Sequence, residues 1–264
     1  MKIKEKLKIA TNGKIGLCVG LDPVIEKIPA GIQDSAEPFY EFCKEIIHAT
    51  ADYAAAYKPN VAFFEALGAD GWLQLQKVIA EIPENKIAIA DAKRGDIGNT
   101  AKAYARSLFG WLKADMATVS PYLGSDSLEP FLGDAEHGVF VLAVTSNAGG
   151  KDFQELICDG KPLFHHIIKM ARNLNSNENI GLVVGATRAS LWPEVTELAV
   201  DMPLLVPGIG AQGGDIDALK SAVKTYSAPV LVNSSRGIIY ASSGKDFAES
   251  AARAAQDLVE QLKF

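Results

Sequence analysis

Cysteine is scarce in this sequence. Cys18, Cys43 and Cys158 are the only three, with no metal-ligand or redox spacing between them. So odd and sparse a set suits a reducing cytosol. No apolar run approaches the roughly 18–20 residues of a membrane span. Residues 1–10 alternate lysine with apolar side chains instead of forming the hydrophobic region of a secretory signal. No Lys/Arg-rich run offsets the net charge of -6, which argues against a nucleic-acid surface while leaving room for a local basic pocket. Low-complexity linkers and composition shifts are missing too. The expectation is a cytoplasmic protein with no membrane or nucleic-acid contact and one domain over 1–264. The neighbouring His165 and His166 lack a third ligand nearby, so they read as surface residues. Trp72, Trp111 and Trp192 carry no functional signal, and Phe39, Tyr40, Phe42, Phe63 and Phe64 read as helix packing.

What the chain does have is a recurring alternation. Its 48% apolar and 22% charged composition is ordinary for a protein with a sizeable core. Short apolar runs at 16–21, 53–57, 87–90, 116–119, 139–144, 181–184, 204–206 and 230–232 each end in a polar or glycine-containing loop. Helical patterns lie between and after them at 37–49, 71–80, 100–111, 163–174, 215–225 and 245–262. Eight buried strands alternating with amphipathic helices predict an α/β fold of the single (β/α)8 TIM-barrel type, since an open doubly wound sheet usually has fewer. Residues 123–137 read as an irregular elaboration.

In such a barrel the active site lies where the strands end. Asp22, Lys58, Asp91, Lys93, Ser146 and Arg236 all fall at or just after the last apolar residue of a strand. The densest group follows the third run: Asp91 and Lys93, two apart and so expected on one strand face, with Asp96 just beyond. Charges placed against a core are seldom unpaired, so this cluster points to electrostatic chemistry.

Barrels often hold phosphate on the loops after strands seven and eight. Here those loops read Pro207-Gly208-Ile209-Gly210-Ala211-Gln212-Gly213-Gly214-Asp215 and Asn233-Ser234-Ser235-Arg236-Gly237-Ile238. Glycines let backbone N–H groups approach a phosphate, and a guanidinium suits oxyanion contact. Gly208, Gly210 and Gly213 also fit a G-x-G-x-x-G pattern. That dinucleotide reading is set aside, because the motif comes late and no acidic residue ends a strand about twenty positions on. The small residues from Ile209 to Asp215 suggest a closing lid.

The block Asp91-Ala92-Lys93-Arg94-Gly95-Asp96-Ile97-Gly98-Asn99-Thr100 matches the D-x-K-x-x-D-I-G/P-x-T signature of the orotidine 5'-phosphate decarboxylase family. The glycine-rich loop from Pro207 resembles that family's phosphate loop, and the resemblance extends from Asp22 to Arg236. The chain resembles the longer, divergent branch, with extended loops near 25–37 and 123–137 and Ser120-Pro121-Tyr122 where compact members carry His-Gly. The resemblance implies decarboxylation of orotidine 5'-phosphate without a cofactor or metal, by a Lys58–Asp91–Lys93–Asp96 array with Lys93 as proton donor. It implies that Asp22 and Lys58 contact ribose and that Ser146 reads the pyrimidine. Phosphate would be held by Gln212 and Arg236, among Pro207, Gly208, Gly210 and Gly213. It also implies a homodimer in which Asp96 and Thr100 reach the neighbouring subunit's site. Two rivals share parts of the pattern: a Mg2+-dependent sugar-phosphate lyase of the same barrel superfamily, and a barrel that binds a phosphorylated ligand without catalysis.

Overall fold

The computed structural model describes residues 1–209 and 214–263. Eight parallel strands close into a barrel. They are β1 (Ile15–Leu21), β2 (Ala54–Pro59), β3 (Ile87–Arg94), β4 (Met116–Val119), β5 (Gly138–Val144), β6 (Ile180–Val184), β7 (Leu204–Pro207) and β8 (Val230–Ser234). Each pairs with the next, and β8 returns to β1 with Ile15 opposite Val230. Every residue of β2, β4 and β6 is buried, as expected for a parallel sheet covered on both faces.

The apolar side chains form two layers. Cys18, Ala56, Ile89, Met116, Phe140 and Leu231 fill the barrel's interior. A larger outer core packs the sheet against helices such as Pro38–Thr50, Ala69–Glu81 and Phe247–Leu262. An unforeseen N-terminal helix, Ile3–Ala10, closes the barrel's lower end: Ile3 and Leu7, one turn apart, are each 1% exposed and join the interior cluster.

Several local expectations need correction. The helix expected over 100–111 is an α-helix at Gly98–Ala105 that continues as a π-helix over Arg106–Trp111, where the Leu112 N–H reaches back to Ser107 O at 2.9 Å. His165 is not a surface residue. It lies buried on the helix Leu163–Leu174, and its Nε2 is 2.6 Å from Glu194 Oε1. The irregular segment near 123–137 holds two short 3-10 turns, Ser125–Ser127 and Glu129–Phe131. Among the described residues no helix is long and apolar enough to cross a membrane.

Candidate active site

In a strand, residues two apart share a face. One step beyond the interior apolar layer therefore come Gly20, Lys58, Asp91, Thr118, Leu142 and Asn233, at the barrel's upper end. All but Gly20 line a cavity of about 470 Å3. Gly20 leaves room for its neighbours, because a Cβ there would lie 2.8 Å from that of Ser235.

The floor of the cavity is a hydrogen-bonded charge cluster. Asp91 accepts from Lys58 Nζ through Oδ2, and through Oδ1 from Lys93 Nζ at 2.6 Å and Thr118 Oγ1 at 2.8 Å. The side chains of Lys58 and Asp91 are 7% and 8% exposed, whereas that of Lys93 is 51% exposed and reaches solvent. Burial pushes the Asp91 carboxyl up, but the two ammonium groups and their hydrogen bonds outweigh it and hold Asp91 well below the usual carboxylate range. Burial likewise pushes Lys58 down, and Asp91 and Asp22 together more than reverse this, so its ammonium is held above the ordinary lysine value. Beneath them the Cys18 thiol is pushed up to about 12 by burial and stays neutral.

Asp91 and Lys93 do share one side of the chain, though not by simple strand alternation. The β3–β4 register breaks between Ala90 and Arg94, and Lys93 has φ +48°. Beyond the break, Arg94 pairs with Glu65 and stacks its guanidinium 5.1 Å from the Tyr104 ring, which anchors the strand's end on the outside.

Around this floor, Asp22 accepts from Ser235 Oγ at 2.6 Å through Oδ2, while its buried Oδ1 has no partner. The Tyr240 hydroxyl fixes the Asp22 backbone by donating to its carbonyl at 2.9 Å and accepting from the Val24 N–H at 2.7 Å. Ser146 lines the cavity on the loop after β5, which Gln154 braces through the Thr145 N–H and hydroxyl at 2.9 and 2.8 Å. Gly185 fits against Ser146: a Cβ would meet its backbone N at 2.7 Å. At the ends of β7 and β8, Pro207, Gly208 and Arg236 complete the wall. Gly208 has φ +102°, a conformation that favours glycine. The Arg236 guanidinium is exposed and has no ion pair among the described residues, so no surface carboxylate occupies it. Below that rim the helix Ile216–Val223 begins, capped by Asp215 Oδ1 accepting from the Ala218 N–H at 3.0 Å.

Thus Asp22, Lys58, Asp91, Lys93, Ser146, Pro207, Gly208 and Arg236 meet around one cavity. Asp96 and Thr100 do not line it; Asp96 accepts from the Ile97 N–H at 2.8 Å, and Thr100 is exposed near the start of the following helix. Gly210, Gln212 and Gly213, and with them the lid expectation, lie outside the described residues. Thr118 escaped the sequence reading, though a lone hydroxyl in the apolar run Met116-Ala117-Thr118-Val119 was its signal, and Asn233 and Ser235 were read only as part of the loop after the eighth strand. Among the described residues, no three His, Cys, Asp or Glu side chains are grouped to hold a metal ion.

Fold and site together define a (β/α)8-barrel enzyme whose cavity sets fixed charges beside a rim that carries Gly208 and Arg236. The comparisons with known proteins agree. Residues 16–251 match the model of the orotidine 5'-phosphate decarboxylase / HUMPS family, and the chain belongs to that family. A relative from Roseiflexus castenholzii named orotidine 5'-phosphate decarboxylase is 49% identical over 93% of this chain and 91% of its own length. One of the same name from Dehalococcoides mccartyi is 47% identical over 99% and 97%. The solved structure of Leishmania donovani OMP decarboxylase superposes with a TM-score of 0.85 and 39% identity, covering 99% of this chain and 98% of that one.

Proposed function

We propose that this protein is a carboxy-lyase that converts orotidine 5'-phosphate to uridine 5'-phosphate and CO2 in pyrimidine biosynthesis, with no cofactor. The observation that carries the reading is the Lys58–Asp91–Lys93 cluster, closed by hydrogen bonds around the buried Asp91, on the floor of a cavity with Arg236 on its wall.

In the reaction the bond from C6 to the carboxylate breaks, its electron pair stays on C6, and neutral CO2 departs. The resulting carbanion has no good route for delocalisation, so fixed charges must lower the barrier, by about 20 kcal/mol. The Lys93 ammonium stabilises the developing charge and transfers a proton from Nζ to C6. Half-exposed, Lys93 then regains a proton from water. Asp91, kept ionised by its two lysines, lies beside the departing carboxylate, and their repulsion vanishes as CO2 forms. The free Oδ1 of Asp22 suits a ribose hydroxyl, with Lys58 close by. Ser146 reads the pyrimidine edge. Gly208, Arg236 and the loop containing Gly210, Gln212 and Gly213 hold the phosphate.

We take 1–264 as one catalytic domain, a reading supported by closure of the barrel between β1 and β8, near opposite ends of the chain. We also take the working unit to be a cytoplasmic homodimer in which Asp96 and Thr100 serve the other copy's cavity. Their position outside their own cavity supports this, as does the exposed Ile97 between them.

The test follows the loss of orotidine monophosphate absorbance with wild-type and Lys93→Ala protein, each with and without EDTA. Wild type is expected to turn over fully in EDTA, and Lys93→Ala to lose about 10,000-fold in kcat while keeping its affinity for uridine monophosphate. An inactive wild type, or a fully active Lys93→Ala, refutes the proposal; activity abolished by EDTA moves it to the metal-dependent lyases.

A further inference from the structure

Ala90 pairs with Ala117 and Arg94 with Val119, so β3 carries three residues where β4 carries one. Such a surplus bends a strand and removes ladder partners from the extra residues. Lys93 lies in it at φ +48°, a region that side chains with a Cβ seldom occupy. A buried N–H released from a ladder needs another acceptor.

Thr118, the single residue facing the surplus, provides one. Its Oγ1 accepts from the Lys93 N–H at 2.9 Å and donates its own proton to Asp91 Oδ1 at 2.8 Å. The side chain is held inside the barrel, with the residue 2% exposed. A hydroxyl can accept and donate at once, whereas a valine of the same shape does neither.

We propose that Thr118 is a positioning residue. It ties the left-handed backbone of Lys93 to the carboxylate of Asp91, and so aims the Lys93 ammonium from a rigid point rather than from a loose loop. The inference rests on the decarboxylase reading above. It adds that the reactive lysine is held at two places, by its backbone through Thr118 and by its ammonium through Asp91.

Thr118→Val and Thr118→Ser are compared for kcat and KM with orotidine monophosphate, and for thermal melting. Thr118→Val is expected to lose on the order of 100-fold in kcat with little change in KM, because a misplacement of about 1 Å costs that much. Thr118→Ser keeps the hydroxyl and is expected to stay within about threefold of wild type. A purely structural role would shift melting and leave kcat intact. Equal kcat in the valine, serine and wild-type proteins overturns the inference, as does a defect confined to KM. If Thr118→Val does not fold, Thr118→Ala replaces it, and an alanine protein as fast as the serine one overturns the inference as well. Wild-type inactivity removes the decarboxylase reading and this inference together, whereas an active wild type matched by Thr118→Val removes this inference alone.

Discussion

Replacing Lys58 by methionine keeps most of its volume and deletes one charge. Asp91 then stays buried with one ammonium where it had two. Breaking a buried ion pair by removing one partner costs about 3–5 kcal/mol, because the other charge is left uncompensated. Lys93 at 2.6 Å and Thr118 at 2.8 Å still hold Asp91, which places the expected loss at the lower end, about 3 kcal/mol. For a chain of this length that lowers Tm by roughly 6–12 °C.

The pH dependence separates this account from a simple loss of packing. The Asp91 carboxyl is held below its unfolded value, so its contribution to stability is present above about pH 4 and is lost as pH falls through the folded value. Without Lys58 the folded value rises, so the variant has less of this contribution to lose and falls less in acid than wild type does. Lys58 is held above its unfolded value, so its own contribution is present below about pH 10 and is lost as pH rises through the folded value. The deficit of Lys58→Met should therefore be large near neutrality and shrink at both extremes. Thermal melts of the two proteins from acid to alkaline pH measure this. A Tm within 2 °C of wild type at neutral pH, taking roughly 3 °C per kcal/mol, would show that the pair contributes nothing net. A deficit independent of pH would assign it to packing.

Arg236→Ala should raise KM for orotidine monophosphate roughly 30-fold, the equivalent of about 2 kcal/mol for a charge-assisted contact to phosphate. It should leave the KM of a substrate lacking the phosphate unchanged; a similar loss for both would place Arg236 elsewhere. Equimolar Lys93→Ala and Asp96→Ala proteins, unfolded and refolded together, should regain about a quarter of wild-type activity if a two-fold dimer shares residues between sites. No recovery in a verified heterodimer assigns Asp96 to its own chain.

The barrel was legible because strands buried on both faces leave continuous apolar runs, and all eight runs became barrel strands. The first helix was harder to see. Lysines at positions 2, 4, 6 and 8 mimic a period of two, and only the Ile3–Leu7 spacing shows the buried stripe. His165 misled because its partner Glu194 is 29 positions away, and the packing of their helices cannot be read locally. Nothing in Arg106–Trp111 marks where the helix widens. The Asp91–Lys93 meeting was foreseen from strand alternation but comes with a bulge, and Thr118, whose hydroxyl accepts from the Lys93 N–H there, lies 25 positions from Lys93.

The legible and illegible parts of the site divide along one physical line. Inward positions follow from a period of two. Stepping two residues beyond Ala56, Ile89, Met116 and Leu231 gives Lys58, Asp91, Thr118 and Asn233, so polar residues at these strand ends necessarily face the barrel's mouth. Which of them touch depends on the stagger between neighbouring strands, a property of the closed barrel rather than of any one segment. That stagger puts Lys58 of β2 and Thr118 of β4 on the two sides of Asp91 on β3, while the bulge brings Lys93 over the top. Strand ends alone therefore supply the chemical inventory, and closure of the barrel turns it into a cluster in which a buried carboxylate remains charged.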